Sequence, residues 1–347
     1  MTADGKNTMR AWSIKQSPSS AAELVIVQQE KPVPAENEVL IRVRACSLNY
    51  RDQLLLRGGD LAGTLTQDCT PLSDGTGEVE AVGSGVSKFR PGDRVAGTFI
   101  QVWTDGSAKG KLRKALGAPP FQGMLSEYVA LPEEGVIHIA KSLTFEEAAT
   151  LPCAGITAWN ALMEGPCRVG PGRTVLTLGT GGVSLIALQL AKSAGAKVIV
   201  TSSSDEKLAR ARELGADLAI NYRTTPQWGV EADRLSDSGI DHVIETGGLG
   251  TLAQSMMAVG FGGEIALVGV MTERGDKDFD VYQLLLKNAN LRGVSVGSTA
   301  MAIALNRAID ANGVKPVIDR RFSFDEAREA WAYQSSAGLF GKVVITV

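Results

Sequence analysis

A chain of 347 residues, 44% of them hydrophobic and 39 of them glycine, has room for about two globular domains and excludes a disordered or repetitive protein. The formal net charge is only −3 with both signs interspersed, which excludes the basic stripe of a nucleic-acid binder and the polybasic patch of a membrane-surface protein. No apolar run reaches about 18 residues, and no charged start is followed by an apolar core. Neither a membrane span nor a signal peptide is therefore expected, and a cytoplasmic protein acting on a small-molecule substrate is.

Residues 1–8 carry no pattern and read as a loose tail. A strand opens at Met9, and residues 24–27 and 38–44 follow as strands on either side of a turn at Pro32 and Pro34. Residues 71–96 read as short strands broken by glycines, with a tight turn at Pro91-Gly92-Asp93, as a coiled, barrel-like sheet requires. Residues 99–120 have little pattern and read as an exposed loop, its basic cluster over 109–114 being a solvated face. A strand is expected over 123–131, then a helix over 144–151 opened by a capping box of Thr144 and Glu147.

The pattern then changes. Residues 174–178 form an apolar, β-branched run suited to a buried parallel strand, and from Val183 the apolar residues recur at helical spacing. Between them stand Gly179, Gly181 and Gly182. A strand that stops on glycines and restarts as a helix leaves free N–H groups at the helix N-terminus, where they hold a pyrophosphate. The third glycine of the GxGxxG pattern is here Ser184, which predicts a looser helix–strand contact.

A second strand over 196–201, a polar turn Ser202-Ser203-Ser204 and a helix opening at Asp205 complete a βαβ unit. An NAD site carries Asp or Glu about 20 residues past the glycines; this chain has Ser202 there. Ser202 and Ser203 offer donors to a 2′-phosphate and Lys207 adds a positive charge, so the cofactor expected is NADPH. Asp205 turned toward the ribose would relax that preference.

Further short strands are expected over 241–245, 264–270 and 291–296, with Gly247, Gly248 and Gly269 just beyond strand ends, where such sheets bind ligands. A helix from residue 300, a strand over 318–324, a helix over 325–332 and a strand over 342–347 close the chain. Cys46, Cys69, Cys153 and Cys167 show no CxxC spacing and the histidines are His138 and His242 alone, so no structural zinc lobe is expected.

Several stretches in the same order, GEVEAVGSGVSKFRPGDRV, LPCAGITAWNAL, LTLGTGGVSLIALQLAKSAGAKVI, ARELGADLAINYR and the closing FGKVVI, resemble the medium-chain dehydrogenase/reductase superfamily over essentially the whole chain. The resemblance implies an α/β protein: a Rossmann doubly wound parallel sheet, residues 154–299, inserted in a β-rich GroES-like catalytic domain made of residues 9–153 and 300–347. It also implies substrate between the two, pocket walls near 54–60, 99–103 and 298 onward, and a homodimer.

Zinc alcohol dehydrogenases of this superfamily carry a cysteine three positions before an Asp; here the Asp is Asp52 and the cysteine position holds Asn49. Their Gly-His-Glu falls on Leu72-Ser73-Asp74, and Cys153 matches the remaining cysteine ligand. One thiolate without an imidazole does not assemble a tetrahedral site, so no metal is expected. The chain is more similar to the zinc-independent, quinone-oxidoreductase-like branch, with its Asn49-Tyr50-Arg51-Asp52.

That branch implies catalytic residues Asn49, a neutral donor near the nicotinamide, and Tyr50, an acid or an aromatic wall. Asp52 reads as a structural partner of Arg51 or Arg57 ahead of a proton donor. The cofactor set it implies is Gly179, Thr180, Gly181, Gly182, Val183, Ser202, Ser203, Lys207, Tyr222, Gly269, Val270 and Lys342. The function expected is hydride transfer from NADPH to an α,β-unsaturated carbonyl or a quinone, with an alcohol or ketone dehydrogenase and a non-catalytic NADPH-binding protein as alternatives.

Overall fold

The computed structural model describes residues 7–15, 24–57, 67–112, 115–237, 239–271 and 280–347. Most of the N-terminal tail, residues 113–114 of the basic cluster and residues 58–60 of one pocket wall lie outside the described residues. The chain divides into two compact units, Met1–Cys153 with Gly297–Val347, and Ala154–Val296.

In the first unit, β1 (Thr8–Ile14) and β2 (Leu24–Glu30) form an antiparallel pair. β3 (Glu38–Ser47) leads into α1 (Tyr50–Leu56), a helix with no counterpart in the sequence pattern. The expected strands over 71–96 reduce to β4 (Asp74–Val82) and β5 (Arg94–Gly97), because Gly83 and Gly85 turn back to bond the carbonyls of Glu38 and Glu36. The strand expected over 123–131 is only β6 (Tyr128–Pro132), since Gly123 to Leu125 bond instead to the carbonyls of Thr70, Pro71 and Leu72. β7 (Val136–His138) and α2 (Phe145–Ala149) follow, the latter opened by the Thr144–Glu147 capping box.

The stretch over 99–120 is the exposed loop of the sequence pattern only in its middle, where residues 104–112 are mostly exposed; its two ends are mostly buried. Ile100 pairs with Ala115, and Leu116 N–H donates to Phe99 O at 3.0 Å, which folds Phe99, Ile100, Trp103 and Leu116 inward.

The second unit starts with α3 (Ile156–Met163) and then alternates: β8 (Thr174–Leu178), α4 (Gly182–Ser193), β9 (Lys197–Ser202), α5 (Asp205–Glu213), β10 (Leu218–Asn221), α6 (Trp228–Leu235), β11 (Ile240–Glu245), α7 (Leu249–Ala258), β12 (Val259–Leu267), α8 (Tyr282–Lys287) and β13 (Asn290–Gly293). The six strands are parallel in the order β10-β9-β8-β11-β12-β13. This is the doubly wound order, and it reverses direction between β8 and β11. Every side chain of β8 is buried, as a strand covered on both faces must be. β13 stops at Gly293, short of the expected Val296.

The chain returns to the first unit with α9 (Thr299–Asn312), β14 (Ile318–Ser323), α10 (Ala327–Gln334) and β15 (Lys342–Thr346). β15 pairs antiparallel with β3, Val344 opposite Ser47, so both chain ends build one sheet of order β14-β15-β3-β4-β5-β7, with β6 also on β3. Trp331, Ile41, Leu55, Leu116 and Met124 lie in its core. Among the described residues no helix is long and apolar enough to cross a membrane.

Candidate functional site

Within the second unit the turn after β8 is built from backbone. Gly179 has φ +73°, a left-handed conformation that side chains disfavour, and a Cβ on Gly179 or Gly181 would meet nothing within 4 Å, so the turn is open on that side. Gly181 is the N-cap of α4 and has no side chain to cap it, leaving the first N–H groups of a twelve-residue helix without intrahelical acceptors. Thr180 is buried, while Gly182 and Val183 are half-buried.

Ser184 does not loosen the contact between α4 and β8. Its buried hydroxyl donates to Leu178 O at 2.6 Å, and Thr246 Oγ1 donates to the same carbonyl at 3.0 Å. A hydrogen bond thus does the work of the glycine's close approach.

At the end of β9, Ser202 Oγ accepts from Ser204 N–H at 3.3 Å, and Ser204 caps α5 through Lys207 N–H. Tyr222 N–H donates to Ser202 O at 3.1 Å, which brings the half-exposed Tyr222 beside the serine turn, where Ser203 and Lys207 are half-buried. Asp205, the residue that would relax the cofactor preference, turns onto β10 instead: its Oδ1 accepts from Asn221 Nδ2 at 2.8 Å.

Sequence reasoning missed Glu245 at the end of β11. It is fully buried, and its Oε1 accepts from Gly247 N–H at 2.7 Å, Gly248 N–H at 3.0 Å and Thr251 Oγ1 at 2.5 Å, while Oε2 accepts from Ser255 Oγ. The signal was an acidic residue closing an apolar strand just before a glycine pair. This carboxylate fixes the loop on which Gly269 and Val270 rest: a Cβ on Gly269 would lie 2.1 Å from Thr246 O, and one on Gly248 would lie 3.1 Å from Val270 Cα.

Within the first unit, residues distant in sequence converge on Asn49, the N-cap of α1. Lys342 Nζ donates to Asn49 Oδ1 at 2.6 Å and to Leu48 O at 2.5 Å, and lies 3.9 Å from Asp74 Oδ2. Asn49 Nδ2 donates to Ser73 Oγ at 3.4 Å, Ser73 Oγ donates to Asp74 Oδ1 at 2.7 Å, and Cys153 N–H donates to Asp74 Oδ2 at 3.2 Å. Asn49, Ser73, Asp74 and Lys342 are all buried. Lys342, grouped by sequence with the cofactor residues, has its ammonium engaged inside its own unit.

Burial pushes the Asp74 carboxyl above its usual range, opposed first by the Lys342 charge. Asp52 is fully buried and accepts from Asn49 N–H at 2.6 Å, which holds the start of α1. Burial drives its carboxyl up to about 7, opposed chiefly by Arg51. Tyr50, the first residue of α1, is half-buried. Leu72 has φ +68° although buried, held there by Met124 N–H on its carbonyl at 2.8 Å. Such a backbone costs about 1–2 kcal/mol for a non-glycine residue.

The family comparisons accord with this architecture. Residues 35–141 match the alcohol dehydrogenase GroES-like domain and residues 182–311 match the zinc-binding dehydrogenase family. A zinc-type alcohol dehydrogenase-like protein of Schizosaccharomyces pombe is 43% identical over 328 residues, 92% of this chain and 94% of its own. The chain belongs to the medium-chain dehydrogenase/reductase superfamily. Superfamily members similar to it include a 2-methylene-furan-3-one reductase of Solanum lycopersicum, 33% identical over 97% of this chain and 79% of that protein. A solved structure of a candidate alcohol dehydrogenase from Sinorhizobium meliloti is 44% identical, covers both chains fully and superposes with a TM-score of 0.87.

The superfamily binds a nicotinamide cofactor, and the open glycine turn with its uncapped helix fits the pyrophosphate of one. A catalytic zinc, which the name of the matching zinc-binding dehydrogenase family implies, does not fit. Amide and hydroxyl groups stand at two of the three ligand positions, and an ammonium already occupies the cluster. Among the described residues no group of three or more His, Cys, Asp or Glu is arranged to hold a metal.

Proposed function

We propose that this chain is a zinc-independent, NADPH-dependent reductase that transfers hydride to an α,β-unsaturated carbonyl or a quinone. The observation that carries the proposal is the Asn49–Ser73–Asp74–Lys342 network, in which the donors of a zinc site are replaced by a hydrogen-bonded cluster. Without a Lewis acid an unactivated alcohol is hard to oxidise, whereas a conjugated acceptor needs only hydrogen-bond donors for the enolate and a proton. The similarity to a 2-methylene-furan-3-one reductase supports that acceptor class.

Bound NADPH supplies the hydride. Gly179 to Val183 would receive its pyrophosphate on backbone N–H groups, and Gly269 and Val270 would help to hold it. Ser202, Ser203, Lys207 and Tyr222 recognise the 2′-phosphate, a preference supported by the engagement of Asp205 with Asn221. Asn49 is the neutral donor toward the substrate oxygen, Tyr50 walls the acceptor or hands on a proton, and Asp52 acts by positioning Asn49.

The protein is proposed to be cytoplasmic, in keeping with four free cysteines, two of them fully buried. It is proposed to form a homodimer through β13, which has no second strand neighbour among the described residues, and the exposed Tyr282, Leu285 and Leu286 of α8 beside it. An alcohol or ketone dehydrogenase is the second reading, favoured by the similarity to the alcohol dehydrogenase-like proteins of Schizosaccharomyces pombe and Sinorhizobium meliloti.

The test is NADPH consumption by chelator-treated protein with a cyclic enone, its saturated ketone, and NADH in place of NADPH. Turnover of the enone alone, with NADPH preferred, is expected. Reduction of the saturated ketone that the chelator abolishes would give the second reading, and NADPH binding without turnover of any conjugated acceptor would make the chain a non-catalytic binder.

A further inference from the structure

We infer that the ammonium of Lys342 is the resident cation of the buried cluster around Asn49, and that its charge keeps divalent metals out of that cluster. This goes beyond the reading of the reaction and holds whatever the hydride acceptor is.

The cluster contains the oxygens a cation seeks. Leu48 O, Asn49 Oδ1 and Asp74 Oδ2 all face one point, and Lys342 Nζ stands there at 2.5, 2.6 and 3.9 Å. Lys342 is only 4% exposed and Asp74 fully buried, so the two charges balance each other where little water screens them. The remaining acceptors of Asp74 are taken by Ser73 Oγ and Cys153 N–H. A divalent ion entering this shell would have to displace an ammonium tethered to β15 or face its charge at close range. Strand pairing holds the tether in place: Leu48 N–H donates to Val343 O at 3.1 Å, and Ser47 Oγ to the same carbonyl at 2.9 Å.

The test uses the full chain and cobalt(II) as the probe, because tetrahedral thiolate–cobalt gives visible d–d and charge-transfer bands. Four proteins are titrated: the natural chain, Lys342→Met, Asn49→Cys with Ser73→His, and the triple variant combining these changes. The natural chain is expected to give no thiolate–cobalt band. The triple variant is expected to bind one equivalent at least about 100-fold more tightly than the variant that keeps Lys342. Equal cobalt affinity with and without Lys342, no site in a folded triple variant, or a thiolate band in the natural chain would each overturn the inference.

Thermal melting tests it independently of the triple variant. Lys342→Met leaves Asp74 buried without a cation and is expected to lower the melting temperature by about 10 °C. Adding Asp74→Asn to that background is expected to restore at least half of the loss. No loss on Lys342→Met, or a loss that Asp74→Asn does not relieve, would show that the pair is not charge-balanced and overturn the inference.

Discussion

The Lys342 ammonium and the Asn49 side-chain oxygen, 293 positions apart in the chain, meet at 2.6 Å. An ammonium only donates hydrogen bonds, so this contact settles which end of the amide is which. Oxygen faces Lys342, and the NH2 group faces Ser73. Asn49→Ala is therefore expected to lower kcat for a conjugated acceptor by about 100-fold, the scale for loss of one donor to a developing oxyanion. NADPH affinity, measured by fluorescence titration, is expected to stay within about twofold of the natural chain. An unchanged kcat would remove Asn49 from the chemistry.

Ser202 closes β9 where an NAD site places its carboxylate. Ser202→Asp removes a donor and adds a negative charge beside the position proposed for the 2′-phosphate. The ratio of kcat/KM for NADPH to that for NADH is expected to fall by about 10- to 100-fold, the value of a hydrogen bond to a charged group. A ratio left unchanged would mean that the phosphate is recognised elsewhere.

Asp52 carries a carboxyl raised from 3.8 to about 7, so the folded protein keeps a proton that the unfolded chain has released. Stability from this group is complete below pH about 4 and is lost as pH rises through about 7, by about 4 kcal/mol in all. Asp52→Asn abolishes that pH-dependent contribution. Urea unfolding between pH 4 and pH 8 is expected to show the variant gaining on the natural chain as pH rises; parallel curves would refute the buried acid.

His242 on β11 works in the opposite direction. Burial lowers its imidazole from 6.5 to about 4, so the unfolded chain takes up a proton that the folded protein refuses. Its contribution is complete above pH about 6.5 and is lost as pH falls through about 4, about 3 kcal/mol in total. His242→Gln is expected to flatten the acid limb of the same unfolding series, and an unchanged limb would place the acid sensitivity in other groups.

Ser184→Ala removes the hydroxyl that ties α4 to Leu178 O. Since Thr246 still satisfies that carbonyl, the expected cost is about 1 kcal/mol rather than the larger penalty of an orphaned acceptor. Denaturant melts read it directly, and a cost above about 3 kcal/mol would mean that the serine carries more of the turn than one bond.

Local chemistry made half of this protein legible. The β8–glycine–α4 turn, Ser202 in place of an acid and the Thr144–Glu147 cap are readable because strand period, helix period, turn residues and caps act within a few positions of one another. The repeated short apolar strands also announced the parallel sheet. What local pattern misjudged were stretches whose state depends on distant partners: the two ends of residues 99–120, drawn inward by the Phe99–Leu116 bond, and Ser184, whose hydroxyl found a carbonyl that composition does not reveal.

By itself the sequence determined the superfamily, the order of the units and the absence of His and Cys at two expected ligand positions, because these are properties of residue type and spacing. Tertiary structure alone decided that Asp205 turns to Asn221, that Glu245 holds the Gly247–Gly248 loop, and that Lys342 joins Asn49 and Asp74. The physical reason is that side chains far apart in the chain meet only when strand pairing brings them together, here when β15 adds to β3, and a buried charge then has to take the partners it finds there.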